Sequence, residues 1–324
     1  MDPGENIDSG ILVAGETLVD FLPDREGDLA AVERFTRRAG GAPANVAVGL
    51  ARLDRTPWFW TRVGADPFGE FLAATLTEEG LPDRFVERDP DARTTLAFVA
   101  RDGEENSFTF YRDGTADTRL EAGSVPDATL ADVEWVYVGG VMLASDPGRS
   151  ATRSLVGRAN EHDCTVVFDP NARPELWTPG EFERLVGDVL ADVGVVKATP
   201  DDLRAAGFEG EVEALADAVL DAGPHTVLLT MGAEGSFARS AAAAPGGAAT
   251  ATHAGYPVDP VDTTGAGDAF TAGALATLAD GERDLETVLG FANAVAAVTT
   301  TATGAMTALP DRAAVREFRR ERRA

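Results

Sequence analysis

Cysteine and histidine are scarce in this chain, and both shortages limit its chemistry. Cys164 is the only cysteine in 324 residues, which excludes an internal disulfide. It opens the apolar run Cys164-Thr-Val-Val-Phe-Asp169, so we predict a thiol packed in a core rather than a nucleophile. The three histidines, His162, His225 and His253, are too isolated to form a zinc site.

Long hydrophobic runs are also missing. No apolar run reaches the roughly 18 residues that a membrane-spanning helix needs. The first residues, Met-Asp-Pro-Gly-Glu-Asn-Ile-Asp, are acidic, unlike the start of a signal or transit peptide. We therefore expect a cytoplasmic protein with no membrane partner.

Lysine is nearly absent, and negative charge is in excess. Lys197 is the only lysine, and 54 acidic against 28 basic residues give a formal net charge of −26. The carboxylates are spread along the chain rather than gathered in blocks, which favours adaptation to concentrated salt over an acidic interaction surface. We predict a halophile's protein. The charge argues against nucleic-acid binding, which needs a basic face.

Three familiar site motifs do not occur. Gly64 and Gly69 have the spacing of a P-loop, but Glu70-Phe71 stands where that loop needs Lys-Ser/Thr. The chain has neither a Gly-x-Gly-x-x-Gly nor a Gly-x-Ser-x-Gly motif. None of these three site types is predicted.

Apolar runs of β-strand character alternate with helical patterns, which predicts an α/β fold with a parallel sheet and helices on both faces. The predicted strands are 11–15, 57–63, 133–138, 165–168, 193–197 and 226–230. The predicted helices are 42–53, 68–79, 148–161, 179–190, 211–221, 266–279, 285–301 and 312–323.

Two regions interrupt this alternation, at about residues 15–40 and 93–115. They contain extended segments that do not fit a strand–helix–strand unit, including a hairpin of strands 96–100 and 107–111 with its turn at 101–105. The Ala/Gly-rich stretch 240–252 is predicted to be a mobile surface loop.

The most informative motif is Asp262-Thr-Thr-Gly-Ala-Gly-Asp268-Ala-Phe-Thr-Ala-Gly273, where two glycines and a carboxylate begin an apolar helical run. The turn leaves backbone N–H groups free at a helix N-terminus, which together form an anion pocket. A carboxylate there repels a phosphate, so Asp268 makes more sense as the base that deprotonates an attacking hydroxyl. The alternative is a helix-capping aspartate. The motif predicts phosphoryl transfer from a nucleotide to an alcohol.

This motif resembles the C-terminal signature of the PfkB, or ribokinase-like, carbohydrate kinases. Gly40-Gly-Ala-Pro-Ala-Asn45-Val-Ala47 is similar to their N-terminal signature, and Gly64-Ala-Asp-Pro-Phe-Gly69 to the turn after it. The resemblance implies one kinase domain over residues 1–324, a three-layer α/β/α sandwich with a mostly parallel central sheet. The segments 15–40 and 93–115 would form its small β-sheet lid.

The resemblance also implies roles for the residues of the C-terminal motif. Asp268 would deprotonate a sugar hydroxyl. The backbone amides of Gly265, Ala266, Gly267 and Asp268 would hold the charge that develops on the transferred phosphoryl group.

Five further residues are implied to bind the sugar: Asp20, Gly41, Asn45, Arg112 and Arg173. Without the resemblance they read as a tight turn with a surface asparagine, an exposed aspartate and two surface arginines. The string Asp-Pro-Asn-x-Arg-x-x-Leu-Trp that contains Arg173 resembles fructokinases and 2-keto-3-deoxygluconate kinases, and does not separate the two.

The nucleotide would contact a second group of residues. Fructokinase-like sequences often carry a lysine at the position of Lys197. By the same matching, Thr230, Gly232 and Gly235 would lie at the phosphates and ribose, and Asn293 near the adenine; glycines in a plain hairpin are the alternative.

Two metal sites are implied. Asp202 stands where the family has a glutamate, in the departing stretch Thr199-Pro-Asp-Asp202, and would hold Mg²⁺ through water. A monovalent-cation site for K⁺ is implied by the following residues: Asp262, Thr264 and the backbone carbonyls of Thr299, Ala302 and Gly304.

The sequence thus predicts a kinase that transfers the γ-phosphoryl group of ATP, as its Mg²⁺ complex, to a sugar. Fructose is the first choice of substrate and 2-keto-3-deoxygluconate the second, with ribose and adenosine behind them. A sugar or nucleotide binder without turnover remains an alternative from another class. A homodimer through the lid is a further expectation, because exposed strand edges invite pairing.

Overall fold

The structure is a computed structural model that describes residues 10–25, 27–102 and 105–322. Its strands are β1 (Ile11–Ala14), β2 (Leu18–Pro23), β3 (Phe35–Gly40), β4 (Trp58–Gly64), β5 (Val86–Asp89), β6 (Leu96–Asp102), β7 (Glu105–Tyr111), β8 (Trp135–Gly139), β9 (Thr165–Asp169), β10 (Val195–Ala198), β11 (Thr226–Thr230), β12 (Ser236–Ser240) and β13 (Ala249–His253). Its helices are α1 (Ala42–Arg52), α2 (Pro67–Glu78), α3 (Asp127–Leu130), α4 (Gly148–Glu161), α5 (Glu181–Leu190), α6 (Pro200–Ala205), α7 (Val212–Asp221), α8 (Ala266–Ala279), α9 (Leu285–Thr300) and α10 (Arg312–Glu321).

The central sheet has the strand order β13-β12-β11-β10-β9-β8-β1-β4-β5. From β11 to β5 every pair is parallel, and the two pairs that include β12 are antiparallel. Successive side chains of a strand point to opposite faces, so Ile11 and Val13 of β1 join one core and Leu12 and Ala14 the other. Helices α1, α8 and α9 cover the first face, and α4, α5 and α7 the second. The predicted three-layer α/β/α architecture is confirmed.

A second, four-stranded sheet has the order β3-β2-β6-β7 and is built from both predicted lid segments. Its aromatic side chains pack together: the rings of Phe21 and Phe98 stack at 4.9 Å, and Phe35 meets Phe98 edge-on at 5.2 Å. Phe21 also contacts Phe68 of α2 edge-on at 5.8 Å, which ties this sheet to the main body. The tip of the predicted 101–105 turn lies outside the described residues.

One prediction about the fold is wrong. The stretch 240–252 is not a long loop, because β12 and β13 pair through Ser240 and Ala249 and through Ala238 and Ala251. Only residues 241–248 connect them. Alanine is a poor strand former and hides the period-2 pattern, whereas backbone pairing with β11 sustains the hairpin.

The described part of the chain contains no helix that is long and apolar enough to cross a bilayer.

We expect thermal stability to rise steeply with ionic strength, because a net charge of −26 makes the compact state repel itself. Between about 0.1 M and about 1 M salt the Debye length falls from ~10 Å to ~3 Å, which removes most of this repulsion. Calorimetry in KCl and in NaCl at matched ionic strength should give similar increases in Tm. A Tm that does not change with salt contradicts the prediction, and a rise in KCl alone indicates a specific potassium site instead.

Candidate active site

The predicted catalytic and sugar-binding residues surround one cavity at the carboxyl ends of the parallel strands, where open α/β sheets bind ligands. The residues of this group that line it are Asp20, Gly41, Asn45, Arg112, Arg173, Gly265 and Asp268. The β7 strand of the lid covers the cavity with Phe108 and Phe110. We call it the sugar cavity. A larger cavity of ≈ 690 Å³ lies between residues 91–98 and 110–115 but shares only Arg112 and Phe110 with the sugar cavity, so size does not identify the site.

Asp268 lies in the first turn of α8 and is held by a residue from the opposite end of the sequence. The Asn45 side-chain amide of α1 donates a hydrogen bond to its Oδ2 at 2.8 Å. Burial raises the pKa of Asp268 to about 6, while the Asn45 hydrogen bond and the Lys197 ammonium act in the opposite direction. A carboxyl with a pKa near neutrality suits a general base.

The N-terminus of α8 begins at Gly265, which caps the helix with a left-handed φ of 79°. A side chain there would be strained, and its Cβ would also lie 2.5 Å from Ala305 Cβ. Ala266 and Gly267 form the next positions of the helix. The Ala266 N–H donates to the Thr263 carbonyl at 3.2 Å, whereas the N–H groups that follow belong to the first turn, which lacks partners within the helix. The role of this turn as an anion pocket stays a prediction.

The Gly40-Gly41 pair lets the Asp20 carboxylate and the backbone of Glu16 approach the N-terminus of α1. A Cβ at Gly40 would lie 2.0 Å from Asp20 Oδ2, and Gly41 has a φ of 103° with the Glu16 carbonyl 2.6 Å from the place of a Cβ. Burial and the nearby Asp268 charge raise the pKa of Asp20 to about 7, although the Arg173 charge acts to lower it. Asp20 and Asp268 therefore line the same cavity closely enough for the charge of Asp268 to affect the pKa of Asp20.

The two predicted arginines have different surroundings. Arg112 is buried and donates from Nε to Asp117 Oδ2 at 2.7 Å. Arg173 donates to the carbonyl of its neighbour Ala172 at 2.8 Å and lies 5.9 Å from the centre of the Phe108 ring of the lid. No ion pair of Arg173 is found within the described residues, which leaves its charge available to the cavity.

Lys197 lies directly beneath the anion pocket. It is buried at the end of β10, and its Nζ donates to Asp169 Oδ2 at 2.9 Å. The same Nζ lies 3.1 Å from the position of a Cβ on Gly267. Burial alone lowers the pKa of Lys197, but the Asp169 and Asp202 carboxylates outweigh it and raise the pKa, so the ammonium stays charged.

Comparison with known proteins agrees with this arrangement. The sequence model of the pfkB family carbohydrate kinases matches residues 8–312. The chain belongs to this family. It is therefore a phosphotransferase whose acceptor is a hydroxyl group.

Similar proteins cover nearly the whole length of this family member. A fructokinase of Klebsiella pneumoniae is 37% identical over 93% of this chain and 96% of its own. A crystal structure of fructokinase with bound ATP from Xylella fastidiosa is 30% identical, with a TM-score of 0.87 over 98% of this chain and 100% of its own. A Vibrio cholerae fructokinase double mutant, solved with fructose, ADP and potassium ion bound, is 34% identical with a TM-score of 0.82, over 95% and 97%.

Four predicted nucleotide-binding residues lie outside the sugar cavity. Thr230 ends β11, and the exposed Gly232 follows it with a φ of 58° and open space where a Cβ would be. Gly235 is explained by packing, since a Cβ would lie 2.0 Å from the His253 carbonyl. Asn293 of α9 uses its amide nitrogen inside the protein, donating to Ser236 Oγ at 2.6 Å and to the Leu289 carbonyl. Their contacts with a nucleotide stay predictions.

Asp202 caps α6. Its Oδ2 accepts from the Thr199 N–H at 2.8 Å in a capping box, and its Oδ1 accepts from the Ala172 N–H at 2.8 Å. This fastens the loop that carries Arg173 to the loop after β10. The Mg²⁺ role of Asp202 stays a prediction.

The residues of the predicted monovalent-cation site come together. Asp262 accepts from the backbone N–H of Thr264 at 3.0 Å and of Gly304 at 2.9 Å. The carbonyl of Thr299 meets the Ala302 N–H at 3.4 Å at the end of α9. The loop 299–304 is thereby joined to the segment that leads into α8.

Sequence reasoning missed three buried polar residues at the site, Glu16, Tyr137 and Asp169. Asp169 had a signal: it directly follows the predicted strand 165–168, and Lys197 ends the predicted strand 193–197. In the structure the corresponding strands β9 and β10 are adjacent and parallel. A carboxylate and an ammonium at corresponding ends of neighbouring strands are expected to pair. Glu16 directly follows an apolar strand, which is only a weak signal.

Proposed function

We propose that this chain is an ATP-dependent fructokinase, which transfers the γ-phosphoryl group of ATP to a hydroxyl group of fructose. The observation that carries the proposal is the contact of Asp268 with Asn45, which joins the anion pocket of α8 to the sugar cavity. Fructokinases at 30–37% identity over nearly the whole chain support fructose as the acceptor.

The charges of the sugar cavity favour a neutral sugar over a sugar acid. Three carboxyl groups line it, those of Glu16, Asp20 and Asp268, together with two arginines. One of the two, Arg112, is already paired with Asp117. A substrate carboxylate such as that of 2-keto-3-deoxygluconate would meet repulsion, whereas the hydroxyls of a neutral polyol can donate to carboxylates.

The chemical step begins with a proton transfer. The Asn45 amide orients Asp268, whose carboxylate takes the proton of the sugar hydroxyl as that oxygen attacks the γ-phosphorus. A P–O bond to the sugar forms, the bond to the leaving ADP breaks, and the proton stays on Asp268 until solvent removes it. Closure of the lid strands over the cavity would exclude water and limit wasteful hydrolysis of ATP.

Two features would stabilise the charge on the phosphoryl group during transfer. The N–H groups of Gly265, Gly267 and Asp268 lie at the start of α8, where the helix dipole adds to their effect, whereas the Ala266 N–H is already donated to the Thr263 carbonyl. Lys197 supplies a fixed positive charge beneath Gly267, held there by Asp169.

Magnesium fits this scheme as part of the ATP substrate. Among residues 10–25, 27–102 and 105–322, acidic, histidine and cysteine side chains form no group of three or more that could hold a metal. Mg²⁺ is usually held by one or two carboxylates, water and substrate phosphates, which this site accommodates. We propose K⁺ for the loop around Asp262, where backbone carbonyls from 299–304 are nearby.

The decisive experiment is a coupled kinase assay with Mg²⁺ and ATP in high KCl, comparing fructose, 2-keto-3-deoxygluconate, ribose and adenosine by kcat/KM. We expect fructose to be preferred. Preference for the sugar acid would assign the second candidate. A folded protein that binds a sugar yet turns over none of the four would overturn the kinase proposal in favour of a binder. Cytoplasmic location and a lid-mediated dimer stay predictions.

The dependence of kcat/KM on pH should report the protonation of Asp268. Its folded-state pKa of about 6 means that the carboxylate, the form able to accept a proton, is lost as pH falls through 6. We expect kcat/KM to be level above this pH and to fall roughly tenfold per unit below it. Asp20→Asn and Glu16→Gln serve as the controls, because burial raises the pKa of each of these two other carboxyl groups of the cavity to about 7. A profile that loses its limb near pH 6 in one of these variants would assign the limb to the carboxyl that was replaced.

A further inference from the structure

Glu16 is a buried acid without a complete set of partners. It follows β1 at the carboxyl end of the sheet and is only 3% exposed. Its Oε2 has no hydrogen-bond partner within the described residues. An unpaired buried carboxylate oxygen is costly, so its presence needs an explanation.

The unpaired oxygen belongs to the sugar cavity. Glu16 lines this cavity together with Asn45, whose Oδ1 is also buried and without a partner among the described residues. Gly139 at the end of β8 lies beside Glu16, since a Cβ there would be 3.9 Å from Oε2 and 3.2 Å from Pro43 Cγ. The buried Tyr137 hydroxyl, on the same strand as Gly139, also has no hydrogen-bond partner among the described residues. Burial raises its pKa most, and the charge of Glu16 adds to this shift.

A structural role does not account for Glu16. The neighbouring acid Asp117 shows what a structural buried carboxylate looks like here: it accepts from Thr115, from Arg112 and from Thr95. Arg112 is ion-paired with Asp117 and not with Glu16, although both Arg112 and Glu16 line the cavity. The Arg112 charge acts to lower the pKa of Glu16, but burial outweighs it and raises that pKa to about 7. A ligand with several hydroxyl groups can donate to Glu16 and accept from Arg112 at the same time.

We propose that Glu16 is a substrate-binding residue that selects neutral polyols. Its Oε2 accepts a hydrogen bond from a sugar hydroxyl other than the one that Asp268 deprotonates, and it disfavours substrates that carry a carboxylate or a hydrogen at that position. This inference rests on the proposed sugar kinase function and deepens it.

The test measures KM and stability in the same variants. Glu16→Ala should raise the KM for fructose by about 10- to 100-fold, as expected for a hydrogen bond to a charged group, and leave the KM for ATP unchanged. The Tm of the sugar-free protein should stay the same or rise, because an unpaired carboxylate has been removed, while the increase in Tm that fructose causes should be lost. Glu16→Gln, of nearly equal volume, should show a smaller rise in KM and guards against misfolding of the alanine variant.

Asp89→Asn is the matched control, since Asp89 is a buried acid with ion-pair partners Arg62 and Arg119 on the distant β5. It should lower Tm and leave both KM values unchanged. A series of monodeoxy fructoses identifies the hydroxyl that Glu16 binds. One analogue should have a higher KM than fructose in the wild type, and in Glu16→Ala the KM values of this analogue and of fructose should be similar.

The outcomes separate this inference from the function on which it rests. A wild type that phosphorylates fructose, with an unchanged KM in both Glu16 variants, overturns the role of Glu16 alone. A lower Tm of the sugar-free variants without a change in KM also overturns the role of Glu16 in substrate binding, in favour of a structural role. Absence of turnover by the wild type on every sugar overturns the proposed function and this inference together.

Discussion

Asp268→Asn is expected to lower kcat by ~10³-fold or more, because asparagine cannot accept the proton of the attacking hydroxyl. The substitution changes little else: the side chain keeps its size, and its carbonyl oxygen can still accept the hydrogen bond from Asn45. The KM for fructose should therefore stay within a few-fold of the wild-type value. Steady-state kinetics with saturating ATP measure both quantities.

The control for this variant is Asp201→Asn. Asp201 is also in the first turn of a helix, α6, but its side chain is 91% exposed and lies away from the sugar cavity. It should retain wild-type kcat. If Asp268→Asn kept a substantial fraction of kcat, Asp268 would be a helix-capping residue rather than the base.

Lys197→Met should lower both activity and stability, because Lys197 has two roles. Removing the ammonium leaves Asp169 buried without its partner, which is expected to cost about 3–5 kcal/mol of unfolding free energy. It also removes the positive charge beneath Gly267, for which we expect a loss of about 10²–10³-fold in kcat. Denaturant unfolding and steady-state kinetics on the same preparation measure the two effects.

The double variant Lys197→Met/Asp169→Asn separates these roles. With both charges gone, no uncompensated carboxylate remains in the core, so most of the lost stability should return. The kcat should stay low, since the charge at the anion pocket is still missing. Recovery of kcat along with stability would mean that Lys197 only supports the fold.

The limits of sequence reasoning appear at particular elements. The helices α4 and α8 have the predicted bounds, because amphipathic or apolar periods and flanking glycines are local signals. The β12–β13 hairpin was mistaken for a loop, since its stability comes from pairing with β11 rather than from its own alanine-rich residues. Pairing between strands is a long-range interaction, and local propensity carries little information about it.

The site residues also fall into those that local sequence predicts and those that depend on long-range contacts. Asp268 could be predicted from its motif, and the tertiary structure adds its contact with Asn45, 223 positions away in the chain. Asp169 and Glu16 were not predicted as site residues. The importance of each depends on what lies beside it: Lys197 on an adjacent strand for Asp169, and the sugar cavity for Glu16.

By itself, the sequence determined the family and the α/β architecture and predicted an anion pocket at the start of α8, because these depend on residues close together in the chain. A Gly-Ala-Gly turn before an apolar helix has the same backbone consequences wherever it occurs. Only the tertiary structure decided which charges are paired and which remain available for a substrate. Burial and partnership are set by strand order and register, which bring Glu16, Arg112 and Arg173 to one cavity and leave Asp117 and Asp169 to neutralise the neighbouring cations.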